Sequence, residues 1–197
     1  MLKKVSLLSL SVISAFAMHS FEINISDKDL GVYTRLDMGQ FVKSIKPEST
    51  MVGFSFFQGN EDHSDGKMGL IRPLYQLSFL KKRELGRSDI SLGLGIKANY
   101  TTHFSSLPLG AEVRYKLPLE DFVPINLNVL AYYAPEVLSM IDSREYLEFG
   151  LNIDIEVIRD GFITVGYRRI ETNYEFRSFE IDSLYNESGY LGYKFTF

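Results

Sequence analysis

Hydrophobic and polar residues alternate one by one over most of the chain after residue 28. In the segment EYLEFGLNIDIEV (145–157), every odd position from Leu147 to Val157 is apolar, and the even positions from Tyr146 to Glu156 are almost all polar or glycine. A period of two places successive side chains on opposite faces of a β-strand, whereas a helix would spread the apolar residues around its axis. The segment therefore predicts a strand with one apolar and one polar face.

The same alternation recurs along the chain, and together with 145–157 it gives ten predicted strands. Each of them except the first reaches the about 9–11 residues that a tilted membrane strand needs. An even number brings both chain ends to one side, and eight strands is the alternative if the first segments fold otherwise. The other nine segments are 21–26, 30–42, 50–58, 68–80, 89–100, 109–117, 124–133, 162–170 and 188–197.

The connections between these segments alternate between short and long. The short set is 43–49, 81–87, 117–121 and 159–161, and the longer or more polar set is 58–67, 101–108, 134–144 and 171–188. Short periplasmic turns and longer outer loops in strict alternation are typical of transmembrane barrels. The sequence thus predicts an all-β, antiparallel, up-and-down transmembrane β-barrel of about ten strands.

The N-terminal residues indicate export. Lys3 and Lys4 precede an apolar run from Val5 to Ala17, which is too short for a membrane-spanning helix and ends in a small-x-small motif. We predict a signal peptide at 1–17 and a single barrel domain at 18–197. Cleavage takes the formal charge from −4 to −6, because the leader carries two lysines and no acid. This mild acidity argues against a nucleic-acid partner.

Alternation alone leaves open a soluble, lipocalin-like periplasmic barrel with its apolar face inside. Tyrosines near strand ends, among them Tyr100, Tyr132, Tyr133 and Tyr190, favour the membrane because they match interfacial aromatic girdles. The polar faces then point into the lumen. We predict these lumen charges: Arg35, Asp37, Arg72, Lys97, Glu112, Arg114, Lys116, Glu148, Asp154, Glu156, Arg168 and Lys194.

The second half of the chain resembles the YfaZ family of predicted bacterial outer-membrane proteins. The resemblance rests on YYAPEVL (132–138), on the strand 145–157, on GFITVGYRRIE (161–171) and on GYLGYKFTF (189–197). It implies a porin-like, integral outer-membrane protein of a Gram-negative bacterium, and it implies no established catalytic activity. The aromatic residues Tyr193, Phe195 and Phe197 of the last strand resemble the terminal signal that the barrel assembly machinery recognises.

Two loop segments carry the candidate chemistry. His103 and Ser105 have the spacing of the His/Ser pair in barrel lipid A deacylases, and Asp62 with His63 resembles the couple of barrel proteases. An enzyme acting on lipid A or peptides is therefore the alternative function, although matches this short are weak. We expect no enzyme, no cofactor and no metal site.

The composition and pattern leave three roles for such a barrel: structural, surface interaction or a narrow channel. The interior of a barrel of eight to ten strands is nearly filled by side chains, so ion pairing is the expected role of the lumen charges. The expected partners are outer-membrane lipids and lipopolysaccharide, together with the assembly machinery that reads the last strand.

Overall fold

The computed structural model describes residues 19–59, 73–86, 89–101, 104–119, 123–141, 143–176 and 179–197. The predicted signal peptide lies outside these residues. Twelve strands are described: β1 (Ser20–Ile25), β2 (Asp29–Asp37), β3 (Thr50–Gly59), β4 (Leu74–Leu85), β5 (Ile90–Tyr100), β6 (Phe104–Ser106), β7 (Leu109–Lys116), β8 (Ile125–Ala134), β9 (Ser139–Ile141), β10 (Ser143–Ile158), β11 (Gly161–Phe176) and β12 (Phe179–Thr196).

Ten of these strands form a closed antiparallel barrel in chain order, with β6 and β9 outside the ring. The ring closes where β1 pairs with β12, so that Phe21 lies opposite Phe195. The predicted all-β, up-and-down barrel of ten strands is confirmed, and the eight-stranded alternative is wrong.

The strands are strongly inclined to the barrel axis. A line of paired residues that starts at Lys116 in β7 passes Asp154 in β10 and Asn24 in β1, and it arrives at Leu74 at the opposite end of the barrel. Such a stagger accompanies the tilt of about 35–45° found in closed barrels. Residues far apart in sequence are therefore brought to the same height inside the barrel.

The polarity of the barrel is inverted relative to a soluble protein. On β10, Leu151 and Ile153 face outward and are 44% and 39% exposed, whereas Asp154 faces inward and is 0% exposed. The same holds around the ring, since exposed large apolar side chains cover the outside and buried polar side chains fill the inside. Alternation along each strand thus separates an apolar exterior from a polar interior.

The two ends of the barrel differ. At the terminal end, where His19 and Phe197 pair through their backbones, lie the connections 38–49, 86–89, 117–124 and 159–160. At the opposite end, called the loop end here, β6 pairs with β5 and β9 pairs with β6. The described helices are the single 3-10 turns Met38–Gln40 and Glu136–Leu138, and neither is long enough to cross a membrane.

The prediction of a long loop at 171–188 is wrong. β11 continues to Phe176 and β12 begins at Phe179, so the two strands extend as a paired hairpin at the loop end. The sequence does alternate there, with Tyr174 and Phe176 and then Phe179 and Ile181 separated by polar residues, but the many acidic residues favoured a loop. Strands pair through their backbones, so this acidic composition does not prevent the hairpin.

Candidate functional site: the barrel interior

An apolar cluster fills the interior at the loop end. Its buried members are Phe57, Leu74, Phe104, Ala134, Tyr146 and Ile170. Phe104 comes from β6, is 0% exposed and packs with its ring centroid 5.9 Å from that of Tyr146 and 5.9 Å from that of Tyr185. We call this cluster the apolar cap. It places close-packed aromatic side chains where a through-pore would open.

A buried polar network lies beneath the apolar cap and centres on Glu148. Lys97 Nζ donates to Glu148 Oε1 at 2.7 Å, and the Tyr146 hydroxyl donates to Glu148 Oε2 at 2.8 Å. Gln76 Nε2 adds a third contact to the carboxylate at 3.1 Å. The ammonium of Lys97 also lies 4.1 Å from the ring centroid of Tyr132. Every acceptor oxygen of this buried carboxylate therefore has a donor, as burial requires.

A second ion pair crosses the lumen nearer the terminal end. Arg35 in β2 donates from Nη1 to Glu112 Oε2 at 2.8 Å and from Nη2 to Oε1 at 3.1 Å. Four strand-to-strand steps separate β2 from β7, so this bidentate contact spans the barrel. The Tyr132 hydroxyl donates to the same carboxylate at 2.9 Å. The pair holds two opposite walls together.

Two further ion pairs link neighbouring parts of the wall. Arg168 Nη2 donates to Asp29 Oδ1 at 2.7 Å, and the guanidinium lies 4.3 Å from the ring centroid of Phe57. Asp154 pairs with Lys194 and accepts from the Thr164 hydroxyl at 2.7 Å. Both acids are fully or almost fully buried, and charges in such places need partners.

Glycines on the inner face make room for large tyrosines. A Cβ on Gly110 would lie 2.5 Å from the Tyr132 ring, and one on Gly166 would lie 2.4 Å from the Tyr190 ring. The predicted place of these two tyrosines in an aromatic girdle is wrong, because both side chains point inward and are buried. Proximity to a strand end suggested the girdle, but alternation decides the face. Tyr100, Tyr133 and Tyr193 do face outward.

A cavity of about 1380 Å³ opens at the terminal end. Its walls come from β4, β5, β7, β8, β10 and β11, and the connection 44–49 forms part of its rim. Three predicted lumen charges line it, namely Arg114, Lys116 and Glu156. The described interior side chains thus pack from the apolar cap down to the Arg35–Glu112 pair, and the cavity lies below that pair.

The interior also contains functional residues that the sequence did not single out. Asp29, Gln76, Lys82 and Asn99 all face inward, and three of them are buried in the networks described above. They lie close to predicted turns or in weakly alternating segments, so the pattern gave little signal for them. Among the predicted lumen charges, Arg72 lies outside the described residues, and Asp37 caps a turn at the terminal end.

The first and last described residues, His19 and Phe197, meet in a small cluster at the terminal end. His19 exchanges backbone hydrogen bonds of 2.7 and 2.9 Å with Phe197, and its ring stacks on Phe41 at 5.5 Å. The Asp37 backbone N–H donates to His19 Nδ1 at 3.0 Å. The Asp37 carboxylate accepts from the N–H groups of Gly39 and Glu48 at 2.9 and 2.7 Å. These contacts fix the first and last strands against the β2–β3 connection.

The candidate catalytic residues have no described pair geometry. His103, His63 and Asp62 lie outside the described residues, and Ser105 lies in β6 opposite Tyr100 and Met140. Within the described ranges, no group of three side chains of the metal-binding types comes together. The deacylase and protease hypotheses therefore stay predictions from sequence.

Closure, alternation and a polar, side-chain-filled interior define the chain as a ten-stranded antiparallel β-barrel with an apolar exterior. A family model described as YfaZ precursor matches residues 2–197, so the chain belongs to the YfaZ family, as its motifs predicted. No curated protein matches the chain. Among solved structures, it is similar to a KdgM porin at 10% identity and a TM-score of 0.46, over 92% of this chain and 99% of that one.

Proposed function

We propose that this chain is an integral barrel of the bacterial outer membrane, exported by the signal peptide at 1–17, with a lumen closed to passage. Its role is structural or one of surface interaction, and it catalyses no reaction. The observation that carries the proposal is the inverted polarity, with exposed Leu151 and Ile153 alternating with buried Asp154. In water, such an exterior would be one continuous apolar patch far larger than monomeric soluble proteins expose.

Charged groups at both borders of the apolar exterior support this placement. At the loop end, Arg169 pairs with Glu171, and the Tyr133 hydroxyl donates to Glu145 at 3.3 Å, all on the outer face. At the terminal end, Lys81 and Arg83 face outward on β4. Between these borders the outward side chains of the described strands are overwhelmingly apolar, which is what a hydrocarbon layer requires.

The partners follow from the same surface. Outer-membrane lipids cover the apolar exterior, and lipopolysaccharide contacts the loop end. The barrel assembly machinery recognises the last strand through Tyr193, Phe195 and Phe197. Tyr193 faces outward, and its neighbouring strand β1 is only six residues long. The pairing of β1 with β12, which closes the barrel, is therefore short, and the last strand joins the barrel there.

Membrane integration is tested by carbonate extraction and by gel mobility before and after boiling. We expect the protein to stay with the membrane and the unboiled barrel to migrate faster. Because the chain has no cysteine, single spin labels can be placed at Leu151→Cys and Asn152→Cys, which face opposite sides of β10. The label at 151 should contact acyl chains and the one at 152 should not. The reverse result contradicts the proposal.

Closure of the lumen is tested by planar-bilayer recording with a conducting porin as the positive control. The apolar cap, the Lys97–Glu148 network and the Arg35–Glu112 pair occupy successive heights, so we expect no conductance steps. Reproducible steps from the pure protein would instead assign a narrow channel, which is the second candidate function. The cavity at the terminal end is the observation that favours a channel, but it extends only part of the way through the barrel.

A further inference from the structure

The cavity at the terminal end contains charged side chains that the ion pairs of the interior do not use. Six basic residues line it: Lys46, Lys81, Lys82, Arg83, Arg114 and Lys116. The acidic residues that line it are Glu48, Glu84, Asp89 and Glu156. Lys81 and Arg83 face outward on β4, so the other four basic residues balance the four acidic ones, and the distribution of the charges with depth matters more than their sum.

The basic side chains on the inner wall form a stripe. Lys82 lies opposite Gly93, and Gly93 lies opposite Glu112. Because glycine has no side chain, none lies between Lys82 and Glu112. Arg114 and Lys116 follow Glu112 on the same face of β7, because alternate residues share a face. Three cations thus lie along one wall of the cavity.

The nearest interior acid is already occupied. Glu112 is held by both Arg35 nitrogens and by the Tyr132 hydroxyl. In the part of the chain that the structure describes, Lys82 and Arg114 make no side-chain hydrogen bond or ion pair. Most of the other described interior charges are paired, so an anionic ligand would supply the partners that these two cations lack.

The acids of the cavity lie towards its mouth. Glu84 and Asp89 flank the short β4–β5 connection, and Glu156 accepts from the backbone N–H of Asp160 in the β10–β11 turn at 3.2 Å. An anion therefore meets acids at the mouth and cations deeper in. The guanidinium of Arg114 offers a planar pair of donors suited to phosphate or carboxylate, and Lys82 offers a point charge beside it.

We propose that the terminal cavity binds a soluble polyanion carrying two or more phosphate or carboxylate groups, held by Lys82 and Arg114. The cavity volume of about 1380 Å³ exceeds the roughly 300–1,000 Å³ that hold drug-sized ligands, so it accommodates a molecule of that class with its hydration water. The proposed function places lipopolysaccharide at the loop end, so the terminal cavity faces the periplasm and the ligand comes from there. Binding of an anion to the cavity does not depend on that placement.

The test is calorimetric titration of the folded full-length barrel in a non-ionic detergent, with inorganic pyrophosphate in one arm and citrate in the other. Binding of one or both is expected, and the arm that binds more tightly identifies phosphate or carboxylate as the source. The double substitution Lys82→Gln and Arg114→Gln should weaken binding by about tenfold or more, since charge-assisted hydrogen bonds are lost. Raising the salt concentration should also weaken it.

Two further variants test whether the loss of affinity is specific to the cavity. Lys43→Gln with Arg159→Gln removes the same two charge types from exposed positions of the terminal end outside the cavity, and it should change affinity less than about twofold. Glu156→Gln keeps the acceptor for Asp160 but removes an acid, so it should tighten binding. This variant supplies a signed result even if the double substitution fails to fold.

Absence of binding in both arms, or equal losses in the two double variants, would overturn the proposal. Unboiled gel mobility is recorded for every variant. A protein that forms the barrel but binds neither anion refutes only the ligand site, whereas a protein that never shows the fast-migrating form contradicts the barrel itself.

Discussion

The Lys97–Glu148 pair offers the sharpest test of how the closed interior is stabilised. Replacing Lys97 by Met keeps an unbranched apolar side chain but removes the ammonium that lies over Tyr132, and it leaves the Glu148 carboxylate without its cation. The two side chains are 8% and 6% exposed, so water cannot replace the lost partner. The hydrogen bonds from Tyr146 and Gln76 are retained and soften the effect without cancelling it.

The expected loss follows from the geometry. Two unit charges about 4 Å apart attract by about 4 kcal/mol at an effective dielectric constant of 20, and removing one partner of a buried pair typically costs about 3–5 kcal/mol. With a urea slope of about 2 kcal/mol per molar, the unfolding midpoint should fall by roughly 2 M. Glu148→Gln should destabilise comparably, because it leaves the Lys97 ammonium buried.

The assay is urea unfolding in lipid vesicles, followed by far-UV circular dichroism and by unboiled gel mobility. These readouts are chosen because the chain has no tryptophan. The double variant Lys97→Met with Glu148→Gln should be clearly less destabilised than the sum of the single variants, because neither charge is then orphaned. Arg169→Met, which breaks an exposed pair with Glu171 on the outer face, is the control and should leave the midpoint unchanged. Additive losses, or an unshifted midpoint for Lys97→Met, would refute this account of the interior.

Three other changes have defined outcomes. Asp37→Ala removes the acceptor for two backbone N–H groups and should lower stability by about 1–2 kcal/mol in the same urea assay; an unchanged midpoint would contradict this. Gly110→Val should abolish the fast-migrating form, because its Cβ would clash with the Ala131 carbonyl, while Gly189→Val, whose Cβ would lie 3.8 Å from the Gly166 carbonyl, should still fold. His103→Ala should leave the acyl pattern of lipid A unchanged by mass spectrometry, and a changed pattern would support the deacylase alternative.

The strand pattern was predictable because it depends only on local alternation. In 145–157 the apolar residues mark the outer face without any knowledge of neighbours, and β10 covers this whole segment. The face of Tyr132 was misjudged where position near a strand end was given more weight than its parity. The hairpin beyond Ile170 was missed because its acidic composition was given more weight than the alternation around Tyr174 and Ile181.

The ion pairs of the interior were not predictable in the same way. Arg35 meets Glu112 across 77 residues of chain, and the choice of partner depends on the strand register and on the tilt of the barrel. The sequence places both residues on polar faces but says nothing about their heights. The apolar cap escaped prediction for a related reason, since Phe104 belongs to a segment that shows only turn-like composition.

The arrangement of charge along the axis connects the closed lumen with the open cavity. In the middle of the barrel, far from water at either end, three acids are paired: Glu148 with Lys97, Glu112 with Arg35 and Asp154 with Lys194. Unpaired charge at that depth would cost several kcal/mol per group. At the terminal end, Lys82 and Arg114 line the open cavity, where solvent or a ligand takes the place of a protein partner. In the proposed function, passage to the loop end would require both the lumen-crossing pairs and the apolar cap around Phe104 to be displaced, and conductance recordings on variants of these residues would measure that barrier.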